Sequence, residues 1–285
     1  MKLFHIIFYN RKDRLVWKLQ LIPGHVKGYN QGVVKTYYEG TAMYNLGTYL
    51  KQELEKYNDF EVVMTRNSVS DNPLLNYRGK LAVNNGSEVF ISLHSDAYRL
   101  STAKGVTVFR SIKLPNSEEL GNKLGKSIAE FMKQSTGITT FKGVKTKAST
   151  KNKNVDYYAV IRKSVTGTKL KYSFIIEHGF HTNKKECTFL NDNANLMKLA
   201  SIIAKELADY FKVSLKSDGK IYKVYKSISG YSNAIDAKNK TNKKSTVKSG
   251  TYYIFREYKN GCINITTDKT CKTPGAWINP QDNKI

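Results

Sequence analysis

Four side chains in this sequence have the types and the placement that hydrolysis at a metal requires: His25, Glu39, His94 and Glu177. His25 ends the stretch Leu21-Ile22-Pro23-Gly24, and His94 follows Val89-Phe90-Ile91-Ser92-Leu93. Glu177 follows Ser173-Phe174-Ile175-Ile176, and Glu39 stands just ahead of a helical pattern. Zinc takes neutral imidazole and carboxylate as ligands, and a hydrolytic zinc site keeps one position open for water. The ion lowers the pKa of that water from about 15.7 to about 7. A second carboxylate nearby takes the water's proton and returns it to the leaving amine. The four residues offer a candidate for every role. Residue type alone leaves open which carboxylate binds the metal.

Singly, each has a plainer reading. A histidine after a strand is ordinarily a satisfied structural residue. A glutamate near a helix start complements the helix dipole, worth under about 1 kcal/mol at a surface. Glu177 resists that reading, because a carboxylate behind an apolar strand is costly without a partner. Other candidates are weaker. His178 and His181 are three apart, but the preceding strand and the Gly179-Phe180 between them argue against a shared helical face, so both read as local hydrogen-bonding residues. Cys187 has no base paired to it in a recognisable arrangement, and His5 lies in an unpatterned start.

The elements that must position the four residues follow from periodicity. Lys18–Ile22 reads as a strand closed by Pro23-Gly24, followed by a loop, His25–Tyr37, rich in turn-formers. Met43, Leu46, Leu50 and Leu54 recur at helical spacing, with Thr41 as N-cap. Glu61–Thr65 reads as a strand, Leu74–Asn84 as a helix, and Ser87–Leu93 as a buried parallel strand. Gly105–Arg110 is a further strand and Ser117 opens a helix. Residues 138–158 form a loop, Tyr158–Ile161 and Tyr172–Ile176 are strands, and Leu196–Phe211 is a helix. The alternation predicts an α/β fold with a mainly parallel twisted sheet and flanking helices. In such sheets ligands bind at the carboxyl ends of strands, where three of the four residues stand.

Beyond Phe211 the pattern changes. Residues 213–220 read as a linker, and residues 221–285 carry short alternating runs such as Thr251–Phe255 and Cys262–Ile265, divided by turns at Ser249-Gly250 and Asn260-Gly261. That predicts a small all-β module, after a catalytic domain at 18–212 and an extension of unclear role at 1–17. The net charge of +24 points to a polyanionic partner. Cys187, Cys262 and Cys271 form no CxxC spacing, and a reduced chain is expected over a Cys262–Cys271 pair. The start shows no signal peptide and no run approaches the length of a membrane span, so the protein is expected to be made in the cytoplasm and to need release to act outside.

The stretches Pro23-Gly24-His25, Tyr38-Glu39-Gly40, Met64-Thr65-Arg66, Arg78 with Ala82-Val83-Asn84, and Ser92–Ala97 carry a resemblance. Gly143-Val144-Lys145, Tyr158–Arg162 and Glu177–Asn183 extend it. Over residues 18–212 the chain resembles zinc-dependent N-acetylmuramoyl-L-alanine amidases of the amidase 3 family, found in bacteria and phage endolysins. The resemblance implies His25, Glu39 and His94 as ligands of one Zn2+ per chain, and Glu177 as the catalytic carboxylate. It implies cleavage of the amide between the lactyl group of N-acetylmuramic acid and L-alanine. Ile22 and Val26 depart from the family's pattern beside the first ligand. Gly230-Tyr231, Asp236-Ala237, Gly250–Ile254 and Gly275–Pro280 make the C-terminal segment similar to bacterial SH3-like wall-binding modules of clostridial amidases and endolysins.

The implied partner is the peptidoglycan of Gram-positive walls, with teichoic acids as a further anionic contact. Nucleic acid is not expected, since no nucleic-acid motif accompanies the charge. Two rival functions stand beside this one: a zinc peptidase acting within the stem peptide, and a non-catalytic binder of polyanions. No substrate-binding residue and no oligomeric state is assigned.

Overall fold

The computed structural model describes residues 16–167, 169–215, 219–271 and 273–283. Most of the expected N-terminal extension, with His5, and residues 216–218 of the expected linker lie outside the described residues. Contacts divide the chain into two units, Met1–Ser214 and Leu215–Ile285.

In the first unit, the apolar runs become strands β1 (Trp17–Pro23), β2 (Phe60–Met64), β3 (Val89–Asp96), β4 (Val106–Arg110), β5 (Phe141–Lys145) and β6 (Tyr172–Phe180). They form one sheet in the order β2-β1-β3-β6-β4-β5. Pairing is parallel from β2 through β6 and again between β4 and β5, while β4 meets β6 antiparallel. The central strands are apolar on both sides because both faces are covered. Leu19, Leu21, Ile91, Leu93, Phe174 and Ile176 join the larger core cluster. That cluster also takes side chains from α1 (Glu39–Leu54), α3 (Ser117–Thr136), α5 (Lys184–Leu190) and α6 (Asn193–Phe211). Ile22, Phe90 and Ile175 point the other way, to α2 (Leu75–Asn84) and α4 (Ala159–Ser164). Helix α6 shows the helical logic clearly: the Asp192 side chain caps Ala194 N–H, and Leu196, Leu199, Ala200, Ile203, Leu207 and Ala208 make one buried face.

Several boundaries depart from the sequence-based expectation, each for a physical reason. Trp17 belongs to β1 and not to an extension, since it pairs with Phe60 and stacks on Phe211 at 4.0 Å. Helix α1 begins at Glu39, so Thr41 lies inside it and is not the cap. Its first N–H groups need no capping side chain, because Glu39 N–H donates to Asn30 O at 3.0 Å and Gly40 N–H to Tyr29 O at 3.3 Å. His94 and Glu177 lie within β3 and β6 instead of after them. The β3–β6 ladder runs on through the pair His94 and Glu177, and β4, antiparallel on the other side of β6, opposes Thr107 to Glu177 and Val106 to His178. Part of the expected loop at 138–158 is strand β5. Tyr158–Ile161 enters a six-residue helix, too short to show a period, whose Val160 and Ile161 face the α2 side of the sheet.

The second unit holds β7 (Lys220–Val224), β8 (Ile228–Gly230), β9 (Ser245–Val247), β10 (Gly250–Glu257), β11 (Ile263–Thr266) and β12 (Ala276–Ile278). A four-stranded antiparallel sheet runs β12-β11-β10-β7, and β8 pairs with β9. A short helix, α7 (Ala234–Asn239), interrupts the strands, with the Asn233 side chain capping Ile235 and Asp236 N–H groups. Val224, Ile228, Val247, Ile263, Ile265 and Ile278 form its core. Cys187, Cys262 and Cys271 are free thiols.

Candidate metal centre

The site is assembled from three elements that meet at the carboxyl ends of the neighbouring parallel strands β1 and β3. His25 follows β1, Glu39 opens α1, and His94 lies near the end of β3. Gly24 N–H donates to Leu93 O at 2.9 Å, tying the β1 exit to β3 directly ahead of both histidines. A side chain at Gly24 would strike the His94 ring. One at Gly40 would strike the Val26 carbonyl. Both glycines therefore permit a close approach no larger residue allows. His25 itself adopts φ 56°, a left-handed conformation costly for a non-glycine residue and typical of functional sites.

Glu39 is 1% exposed and sits between the two imidazoles. Its Oε1 lies 3.0 Å from His94 Nδ1 and its Oε2 3.5 Å from His25 Nε2. The Asn30 side-chain amide donates to Glu39 Oε2 at 2.7 Å and lies 3.2 Å from His25 Nε2. Ser95 N–H donates to Glu39 Oε1 at 3.1 Å. Burial pushes the Glu39 carboxyl up, but the His94 contact and the two imidazole charges outweigh it and bring it to about 2. Among the described residues, His25, Glu39 and His94 form the one group whose ligand atoms all lie within 4.8 Å of one another. That is close to the span allowed by ligand bonds of ~2.0–2.2 Å, and two imidazoles with one carboxylate is a zinc ligand set. The residues fit the ion.

Glu177 stands directly across the β3–β6 ladder from His94. Its Oε2 is buried without a hydrogen-bond partner, an unusual state for a carboxylate. Burial raises its carboxyl to about 8, His94 pulls the other way, and Glu39 and Asp96 add to the rise. A cation held by His25, Glu39 and His94 would lower it again. His25, His94 and Glu177 line a common cleft of about 590 Å³, walled also by Tyr29, Arg78 and Tyr158.

His178 and His181 stay outside the group. Buried His178 has its Nδ1 3.0 Å from the His94 carbonyl, and desolvation lowers its pKa to about 4, so it is a neutral support for the ligand strand. His181 Nδ1 meets Ser95 Oγ at 2.9 Å, which meets the Tyr37 hydroxyl at 2.7 Å. This chain passes through Ser95, whose N–H holds Glu39. Burial raises the pKa of the Cys187 thiol, which opposes thiolate formation there.

Two contributors had no role assigned from sequence. Asn30 reads there only as a turn-former, yet it orients Glu39. Arg66 is 1% exposed and donates to Gly40 O at 2.9 Å and to Val69 O, with a longer contact to Gly24 O at 3.5 Å. It thus joins the carbonyls next to two candidate ligands. The signal available was a basic residue directly after a strand, which is insufficient to name a partner.

Residues 20–209 match the family model described as N-acetylmuramoyl-L-alanine amidase. Among solved structures, the catalytic domain of CwlV, an N-acetylmuramoyl-L-alanine amidase from Bacillus (Paenibacillus) polymyxa var. colistinus, aligns with TM-score 0.56 at 22% identity, covering 70% of this chain and 100% of that one. The N-acetylmuramoyl-L-alanine amidase of Clostridium difficile 630 aligns with TM-score 0.55 at 20% identity, over 70% of this chain and 98% of that one. Ami1 of Mycobacterium abscessus, in its apo form, gives 0.53 at 16%, over 70% and 100%. At these identities the likeness is one of fold. A search of curated protein sequences returns no match.

Proposed function

The chain belongs to the N-acetylmuramoyl-L-alanine amidase family, which acts on peptidoglycan, and we propose that His25, Glu39 and His94 hold one zinc ion per chain while Glu177 carries the proton. The observation behind this reading is the His25–Glu39–His94 cluster with an unpartnered carboxyl across the strand from it. When bound, zinc supplies Lewis acidity to the attacking water and the amide carbonyl. The chain's own groups do the rest. Glu177 accepts a proton from water as it adds to the lactyl carbonyl, and donates it to the alanine nitrogen as the C–N bond breaks. The products are a free lactyl carboxylate and a stem peptide with a new amino terminus. Asn30, Ser95 and Arg66 keep Glu39 and its loop in place.

The second unit, in this reading, is an SH3-like wall-binding module. The whole chain is a lytic enzyme of endolysin or autolysin type, made in the cytoplasm and acting on Gram-positive walls after release. Its charge of +24 favours attraction to teichoic acid phosphates. The deciding experiment is mass spectrometry of digested wall fragments. Free lactyl carboxyls and new alanine amino termini are expected. Cleavage within the stem peptide instead would make the protein a peptidase, and binding without any cleavage would make it a polyanion binder.

A further inference from the structure

Arg78 lies in the first turn and a half of α2 and lines the same cleft as His25, His94 and Glu177. It is 7% exposed. A guanidinium has five N–H groups. Here Nε donates to Pro73 O at 2.9 Å, Nη2 to Asn72 Oδ1 at 3.2 Å, and Nη1 reaches Pro23 O at 3.5 Å. All three acceptors are neutral, two N–H groups remain, and no carboxylate pairs with Arg78 among the described residues. A buried cation without a counter-ion is costly, and burial draws this one's pKa down.

Arg66, the other buried arginine near the site, differs. It lies off the cleft lining, against Tyr44 and the backbone carbonyls named above. Arg78 instead lines the cleft, beside Asn72, Pro73 and Val160. A planar guanidinium with two free N–H groups matches a carboxylate.

Resting on the amidase reading above, we propose that Arg78 binds a free carboxylate on the stem-peptide residue immediately after the L-alanine. The muramoyl side of the scissile bond offers no anion, because its lactyl carboxyl is consumed in the amide. Alanine contributes only a methyl. The first anion beyond the bond is the α-carboxylate of the next residue when that residue is linked through its side chain. Where a wall carries a carboxamide at that position, the anion is gone. Arg78 therefore sets a preference between wall chemotypes.

The test compares two synthetic muramoyl peptides identical except for a carboxylate or a carboxamide on the residue after alanine. Zinc-loaded wild-type protein should cleave the carboxylate form with at least tenfold higher kcat/KM, expressed mainly in KM, since this contact is made alike in ground and transition states. Arg78→Gln should bring the ratio close to one, and Arg78→Lys, which keeps charge but loses the fork, should fall between. Thermal melting and metal content verify that each variant is folded and loaded. Equal cleavage of both substrates by wild type overturns the proposal, as does a preference that survives in Arg78→Gln. If neither peptide nor intact wall yields new alanine amino groups, the amidase reading itself falls.

Discussion

At the scale of single residues, Glu177 carries the sharpest consequences. Glu177→Ala should cut amide cleavage by 10²-fold or more while zinc content and the melting transition remain, since the residue is not among the cluster's ligand atoms. Retained activity would remove it from the reaction. Its raised pKa also makes a stability statement. Below pH 4.5 the carboxyl is neutral in folded and unfolded chains alike and its burial is unopposed. From 4.5 to about 8 the unfolded state gives up the proton while the folded state keeps it, so stability falls as pH rises through that window. The chelator-treated Glu177→Gln variant should therefore melt at a higher temperature than chelator-treated wild type at pH 8, reflecting a stability gain on the order of a few kcal/mol, and alike at pH 4. Equal melting at pH 8 would show that Glu177 is not held neutral in the metal-free fold. Glu39 shows the opposite sign, with its carboxylate fixed by His94 and Asn30.

At the scale of elements, α1 is both core and site. Its first turn presents Glu39, while Met43, Leu46, Leu50 and Leu54 anchor it in the main core. The Arg66 guanidinium and the Asn30 and Tyr29 carbonyls fix where that turn begins. Arg66→Lys, which keeps the charge and loses the fork, should weaken zinc binding by about 10–100-fold, as loss of an outer support around metal ligands commonly does. A zinc titration of the purified variant reads this out, and unchanged affinity would leave Arg66 with a purely structural role. On α6, remote from the cleft, Ile203→Ala should cost about 2–5 kcal/mol of stability with zinc affinity intact, measured by denaturant unfolding and the same titration.

At the scale of the whole molecule, cleavage and wall anchoring are separable in this reading. The metal cluster and cleft lie within Met1–Ser214, so a chain lacking residues 215–285 should still cleave a soluble muramoyl peptide. It should bind isolated walls less, which sedimentation with walls would measure; undiminished binding would deny the second unit an anchoring role. Wall binding by the full chain should weaken as salt rises from 0.05 to 0.5 M, because charge attraction is screened. Insensitivity to salt would mean that the +24 charge does not drive the contact.

The sequence by itself determined the α/β fold, the change of character after Phe211 and the four residues worth joining. Those readings rest on local physics: side-chain period, turn-formers and strand-ending histidines. Tertiary structure alone decided which strands meet and what surrounds each candidate. The parallel β3–β6 ladder runs on through His94 and Glu177, with β4 antiparallel on the other side of β6, and no local period encodes a partner strand. Tyr158–Ile161 has strand-like composition yet enters a helix, because burial against α2 outweighs a six-residue propensity. The contacts of Asn30 with Glu39 and of Arg66 with Gly40 exist only once the loop and the strand ends are folded together. A single sequence names the acids and bases, but the burial that leaves Glu177 Oε2 without a hydrogen-bond partner, and Arg78 without a counter-ion among the described residues, exists only in the folded chain.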